Sequence, residues 1–181
     1  MEAGFGRSVI TPELPVVLAG FGGRKEPARE VHDDLEAHAV VLRDGGTTTC
    51  LLVLDLLLLG PDFAHPVRTA VASALGIPTA HVLTSCVHTH AGPSGSRTTK
   101  RAGWPVPDGY LEVVTSGCVA AAREALAALV PARLGYAREP LPEGLGRNRR
   151  DLPYHPSHGV LEARALDGTL LGTLGNVGIH P

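Results

Sequence analysis

The apolar positions of the chain fall into short runs separated by glycine, proline and aspartate, a pattern typical of alternating strands and helices. The runs 37–43 and 48–59 flank the sequence DGG at 44–46. A second pair of runs, 159–166 and 169–177, flanks another Asp-Gly pair. Because Asp-Gly between β-prone runs favours a tight turn, the sequence predicts two antiparallel hairpins.

Two segments show helical periodicity instead. Residues 63–75 place apolar side chains at helical spacing, with Pro66 acceptable in a first turn and Gly76 as a stop signal. Residues 108–130 are rich in alanine, begin at Asp108, a plausible N-cap, and precede Pro131. The sequence therefore predicts one short helix and one long helix.

Further strands are predicted at 81–87 and 133–138, and an irregular loop at 140–156. With the run beginning at 51, the strand at 81–87 completes a strand, helix, strand unit, which places two parallel strands in one sheet. The fold class predicted is α/β, with a mixed sheet, two hairpins, one such unit and a long helix. The strand order within the sheet does not follow from the sequence.

The composition limits the domain count and the partners. The 181 residues fit a single domain, 1–181. The net charge of −2 and the scattered basic residues provide no basic field for a phosphate backbone, so we expect no nucleic acid partner.

The cysteines and the N-terminal residues bear on the compartment. Cys50, Cys86 and Cys118 are an odd number without a C-x-x-C pair, which favours buried, reduced thiols over disulfides. Residues 1–13 lack the basic start and apolar stretch of a secretory signal, so we expect a cytoplasmic protein. The run Leu51–Leu59 is too short for a transmembrane helix, which needs about 20 residues.

A histidine pair, His88 and His90, follows the strand predicted at 81–87. In an extended strand, residues i and i+2 project from one face, so both imidazoles could reach one metal or one substrate. With nine histidines in the chain, on the order of half a pair at this spacing arises by chance, so the pair alone is weak support. The glycine-rich turn after it suits a site, but a pair of surface histidines remains open.

Asp55 is a carboxylate inside the apolar run 51–59. An unpaired buried charge is costly, so this side chain must be exposed, paired or hydrogen-bonded. We expect Asp55 to anchor the loop beneath the site.

Several segments together resemble the N-terminal catalytic region of the neutral ceramidase family. VLTSCVHTHAGPSG, at 82–95, is similar to the signature in which a strand ends in H-T-H-[SA]-G-P. Segments similar to the glycine loop, the first hairpin and the following strand of the family precede it in the same order, at 17–24, 31–42 and 51–59. Asn148-Arg149 and the sequence GNVGIHP at 175–181 resemble two later motifs. The resemblance covers the first half of that catalytic domain.

The resemblance implies a zinc-dependent amidase. It makes His88 and His180 zinc ligands, His90 a transition-state contact, Arg149 a substrate-contacting arginine and Gly22 part of a substrate-binding glycine loop. These roles suit the residues, because neutral imidazole binds Zn²⁺ well and Zn²⁺ activates water and polarises carbonyls. Without the resemblance, His180 would be interpreted as a residue of a frayed tail.

The resemblance covers two zinc ligands, whereas catalytic zinc normally has three protein ligands. We therefore expect a second polypeptide, or a missing C-terminal half of the same protein, to supply the remaining ligands. The expected substrate is N-acylated, either ceramide-like or a soluble small molecule, because no basic amphipathic membrane helix is evident. The alternatives are a non-catalytic metal-binding or structural subunit of a hetero-oligomer and a metal-free binding module.

Overall fold

The computed structural model describes residues 1–24, 26–98, 104–142, 144–145, 150 and 156–180. Within them, seven strands and two α-helices follow one another along the chain. The strands are β1 (Glu2–Val9), β2 (Glu36–Asp44), β3 (Thr47–Leu54), β4 (Val82–Cys86), β5 (Val130–Pro140), β6 (Ser157–Ala165) and β7 (Leu170–Val177). The helices are α1 (Pro61–Leu75) and α2 (Tyr110–Ala127).

The seven strands form one mixed sheet in the order β4-β3-β2-β1-β5-β6-β7. Both predicted hairpins are confirmed: β2 pairs antiparallel with β3, and β6 with β7. The predicted strand, helix, strand unit is also confirmed, because β3 and β4 are parallel and α1 connects them. The chain is therefore an α/β fold with a mixed sheet, as predicted.

The central strand, β1, is absent from the sequence prediction. It pairs with β2 over its whole length and with β5 at its start. Its glycines explain why it was missed, since glycine is depleted in strands. They are required here because α2 packs against this strand, and a Cβ added at Gly4 or Gly6 would lie 2.0 Å from the carbonyl oxygen of Ala125 or 2.3 Å from that of Ala121.

The main core lies between the helices and one face of the sheet. Apolar side chains of β2, β3 and β4 meet Phe63, Val67 and Val71 of α1 and Val114 and Cys118 of α2. The helix spacing predicted for 63–75 therefore produces the apolar stripe that this face of the sheet covers. Gly76 ends α1 with a φ of 65°, as predicted from its position.

The predicted start and the predicted end of α2 are both wrong. The helix begins after Gly109, whose φ of 72° is in the left-handed region, and no side chain caps it, so Asp108 is not the N-cap. The helix ends at Ala127 rather than 130, because the chain enters β5 at Val130 and Pro131 belongs to that strand.

The predicted run 48–59 is also too long, since β3 ends at Leu54. At the next residue, the Asp55 amide donates to Glu36 O at 3.0 Å and its Oδ2 accepts from the Glu36 amide at 3.0 Å. This side chain continues the hydrogen bonding between the two strands where the ladder stops. The chain then bends toward the segment that follows β4.

The cysteines are free thiols, as predicted. Cys50 and Cys118 are buried and Cys86 is partly buried. Burial raises the pKa of each of these thiols to about 12, so they are protonated at neutral pH. Among the described residues, no helix has the length and apolar character needed to cross a bilayer.

Candidate functional site

Three imidazoles meet at one end of the sheet. His88 follows β4 and His180 follows β7, and these strands form opposite edges of the sheet. The sheet nevertheless curves enough to bring His88 Nε2 within 3.1 Å of His180 Nε2. With His90, one ring nitrogen from each residue lies within 4.8 Å of the others. Residues 92 positions apart in the chain thus converge on one point.

The backbone of His88 differs from the prediction. Strand β4 ends at Cys86, and His88 has a φ of 63°, in the left-handed region, so the pair does not lie in an extended strand. Its amide donates to Leu56 O at 3.1 Å. The imidazoles converge because this turn directs both rings toward His180, and not because of strand alternation.

A second contact fixes the ring of His88. Its Nδ1 lies 2.7 Å from Leu57 O. Because a carbonyl oxygen can only accept, Nδ1 carries the proton, and in the neutral ring Nε2 presents a lone pair toward His180. A histidine held in this way by a carbonyl is the usual arrangement of a metal-binding imidazole.

His90 has a different environment. Both of its ring nitrogens are inaccessible to solvent and have no hydrogen-bond partner among the described residues. Desolvation lowers the pKa of His90, and electrostatic interaction with His88, His180 and Arg24 lowers it further, which favours the neutral ring. Inaccessible ring nitrogens normally have a hydrogen-bond partner, so those of His90 are available to a ligand.

Residues 18–24 form one wall of the site. The ring of Phe21 packs edge-on against that of His90, with centroids 4.7 Å apart. Gly20 has a φ of 106°, and a Cβ there would lie 2.4 Å from His90 Cγ, so only glycine fits. Ala19 N donates to Gly92 O at 2.8 Å. This hydrogen bond joins the wall to residues 88–95, which we call the histidine segment.

Sequence reasoning selected Gly22 from this wall, but the contacts to His90 come from Gly20, Phe21 and Arg24. Gly22 is exposed, and no described residue beyond its chain neighbours lies within 4 Å of the position of its Cβ. Arg24 Nη1 donates to His90 O at 2.7 Å, and its guanidinium lies over the Phe21 ring at 5.0 Å. The sequence signal for Arg24 was a pair of basic residues, Arg24 and Lys25, directly after a glycine-rich segment.

The connection from β3 to α1 holds the other side of the histidine segment. Gly60 N donates to Gly95 O at 2.9 Å. Asp62, in the first turn of α1, accepts from Ser96 Oγ at 2.8 Å and from the Arg97 amide at 2.7 Å. Although desolvation opposes the change, these hydrogen bonds lower the pKa of Asp62. The carboxylate therefore fixes the loop that follows the histidines.

We expect Asp62→Asn to destabilise the protein by about 1–3 kcal/mol, because an amide nitrogen replaces one acceptor of a charge-assisted contact. Denaturant unfolding measures this loss. Glu112→Gln, in the first turn of α2, is the matched control and should cost at most about 1 kcal/mol.

The Asp62 contribution should also depend on pH. Since the folded-state pKa lies below the unfolded value of 3.8, the contribution is complete above that pH and is lost as the pH falls through the folded pKa. Equal losses for Asp62→Asn and Glu112→Gln at neutral pH would contradict the role given to Asp62.

A cavity of about 510 Å³ lies beside the histidine segment. Thr89 and Ala91, the neighbours of His90, line it together with Asp55. The backbone oxygen of Asp55 would be 3.3 Å from a Cβ at Gly92. Asp55 thus lies beneath the loop that it was predicted to anchor, and its anchoring role stays a prediction.

Arg149 and Asn148 lie outside the described residues.

The three histidines suit a zinc ion. Two nitrogens bound to one tetrahedral zinc at about 2.0–2.1 Å are roughly 3.3–3.4 Å apart. The 3.1 Å between the Nε2 atoms of His88 and His180 is close to that separation. In the described part of the chain, these histidines are the one group of potential ligands that could hold a metal.

The chain has close structural neighbours among solved proteins. A ceramidase complexed with C2 matches with a TM-score of 0.83 and 23% identity over 96% of this chain. The neutral ceramidase from Pseudomonas aeruginosa matches with a TM-score of 0.80 and 22% identity over 96% of it. The chain has the fold of part of a neutral ceramidase. It spans 30% and 31% of the length of those two chains.

This likeness confirms the resemblance at the level of the fold. No protein-family profile matches the chain, and no curated protein sequence does. A ceramidase-like fold and a triad of histidines are compatible with an amide hydrolase and a metal site. The identity of the metal, the substrate and the partner are matters for proposal.

Proposed function

We propose that the protein is a zinc-dependent amidase that cleaves or transfers the acyl group of an N-acylated compound. The observation that carries this proposal is the convergence of His88, His90 and His180 at one end of a ceramidase-like fold. His88 and His180 would hold the ion through their Nε2 atoms. When bound, zinc supplies Lewis-acid activation of the amide carbonyl and of the attacking water.

His90 is the proton-transfer residue in this proposal. Neither ring nitrogen has a partner among the described residues, and the lowered pKa favours the neutral ring, so it can accept a proton from the attacking water and give it to the leaving amine. The carbonyl of His90 is held by Arg24, and the ring is held by Phe21. These contacts keep the ring beside the two proposed zinc ligands without using its nitrogens.

Three other assignments follow the family resemblance alone. Arg149 would contact an oxygen-rich part of the substrate with its fixed charged fork. Gly22, exposed in the wall formed by residues 18–24, leaves room for substrate beside Phe21. Asp55 would support the histidine segment from the β3 end.

A third protein ligand for zinc would come from outside the described residues. Leu83, Val87 and Val177, close in sequence to the proposed ligands, are each more than half exposed, which is apolar surface that proteins normally cover. We infer that further polypeptide, from the same protein or from a second chain, covers this surface and completes the site. Native mass spectrometry of the zinc-loaded protein would show whether the same protein or a second chain supplies this polypeptide.

Removal of zinc should abolish amide cleavage. Dialysis against a chelator should lower the rate of release of a fatty acid from N-acyl substrates to background, and one equivalent of Zn²⁺ should restore it, because water activation is lost without the ion. Mg²⁺ is the control, since it prefers oxygen ligands. A cleavage rate unaffected by removal of bound metal would rule out the zinc mechanism. Stoichiometric zinc without turnover of any N-acyl substrate would favour a metal-binding or structural subunit.

A further inference from the structure

Arg24 places a positive charge beside the histidines, and no carboxylate in the described part of the chain balances it. Among the described residues, no acidic side chain lies within 4.0 Å of its guanidinium. One N–H group, on Nη1, donates to His90 O, and the others have no partner in the described part of the chain. The side chain is only partly exposed. The N–H groups without a protein acceptor are therefore available to an anionic ligand.

The position of the guanidinium is fixed. Its carbon lies 5.0 Å from the centroid of the Phe21 ring, whose centroid is 4.7 Å from that of His90. Because His90 O and the Phe21 ring hold the group, little conformational entropy is lost when it binds a ligand.

The chemistry of the free N–H groups defines the ligand. A guanidinium offers a planar fork that matches the two oxygens of a carboxylate or phosphate. A neutral amide with an aliphatic chain would leave these donors without a charged partner. A substrate with an oxyanion group would satisfy them while its amide lies at the histidines.

We propose that Arg24 is a specificity-determining residue that binds an oxyanion on the substrate. The substrate class is then N-acylated compounds that also carry a carboxylate or phosphate, such as N-acyl amino acids. This inference rests on the proposed amidase function for the identity of the reacting bond, but the anion contact itself can be measured without turnover.

The activity test compares matched substrates. Wild-type, zinc-loaded protein should cleave N-hexanoylglycine with a kcat/KM at least tenfold above that for its methyl ester. Arg24→Met should lower kcat/KM for the carboxylate about 10–100-fold more than for the ester, the range of a lost charge-assisted hydrogen bond, because the ester loses only the contact of Arg24 with His90 O. Arg24→Lys should be intermediate, since it keeps the charge and loses the fork. Arg133→Met, an exposed cation on β5, is the control and should change neither rate.

N-hexanoylethanolamine phosphate distinguishes the source of the oxyanion. A larger effect of Arg24→Met on this compound than on N-hexanoylglycine assigns the site to phosphate, and the reverse order assigns it to carboxylate. Equal losses for the charged and the neutral substrates would overturn the proposal, because Arg24 would then only hold His90.

Calorimetry with N-acetylglycine tests the contact in the absence of turnover. Zinc-free and zinc-loaded wild-type protein should both bind it, with a Kd that Arg24→Met weakens about tenfold or more and Arg133→Met leaves unchanged. If no N-acyl compound is cleaved but this Arg24-dependent binding is found, the amidase function fails and the anion site stands. Binding that does not depend on Arg24 would overturn the site, whatever the activity.

Discussion

Replacement of His90 by alanine should lower kcat/KM for amide cleavage about 10²–10⁴-fold while the protein keeps its zinc. Removal of a proton-transfer group raises the barrier by about 1.4 kcal/mol for each factor of ten. The zinc should remain because the proposed ligands, His88 and His180, approach each other directly, with their Nε2 atoms 3.1 Å apart. Turnover of an N-acyl substrate and zinc content are measured on the same preparation.

His90→Gln and His65→Ala complete this experiment. The glutamine variant keeps the volume beside Phe21 without a group that accepts a proton near neutral pH, so it should be as inactive as the alanine variant. His65, exposed on α1, is a matched histidine outside the cluster, and its loss should leave the rate unchanged. Loss of zinc from His90→Ala would make His90 a third ligand, and an undiminished rate would exclude a catalytic role.

The elements that could be predicted from the sequence are those specified by local interactions. The two Asp-Gly turns predicted both hairpins, and Gly76 predicted the end of α1. Each signal acts within a few residues, through the φ that the turn or the cap requires. Strand β1 lacks such a signal, because Gly4 and Gly6 are explained only by the approach of α2 from more than 100 residues away.

The residues of the candidate site also divide into those with a local sequence signal and those without one. His88 and His90 stand out by spacing, and His180 by its similarity to a known motif. The contacts that distinguish their roles are not local: Leu57 fixes the His88 ring from 31 residues away, and Arg24 holds His90 from 66 residues away. The left-handed backbone of His88 also has no sequence signal, since a histidine there is uncommon.

The curvature of the sheet explains why the fold and the site depend on each other. Strands β4 and β7 are joined through five intervening strands, yet their ends present the two proposed zinc ligands to one another. Leu83 and Val87 on one edge line a cavity of about 500 Å³ with Val177 and Ile179 on the other. A ligand that bridges His88 and His180 would therefore also tie together the two edges of the sheet.

Replacement of His88 by glycine should weaken zinc binding roughly 10²–10³-fold. This fold-change corresponds to losing about a quarter of the binding free energy of a four-ligand structural zinc site, which is typically about 10–16 kcal/mol. Glycine is the informative choice because the φ of 63° at this position suits it, so the imidazole is removed without added backbone strain. Competition with a chelator of known affinity measures the zinc Kd. Because the proposed zinc site exists only in the folded state, zinc should raise the Tm of the wild-type protein, and this rise should be lost in His88→Gly.

Two controls separate the loss of a ligand from the loss of the fold. His88→Asn, which also tolerates a positive φ, should have the same zinc-free Tm as His88→Gly within a few degrees and the same defect in zinc binding. His65→Ala should keep both the zinc affinity and the zinc-dependent rise in Tm. Leu57 O fixes the ring so that Nε2 of His88 faces His180. If His88→Gly left the zinc affinity unchanged, this arrangement would serve packing alone. The proposed metal centre would then be wrong.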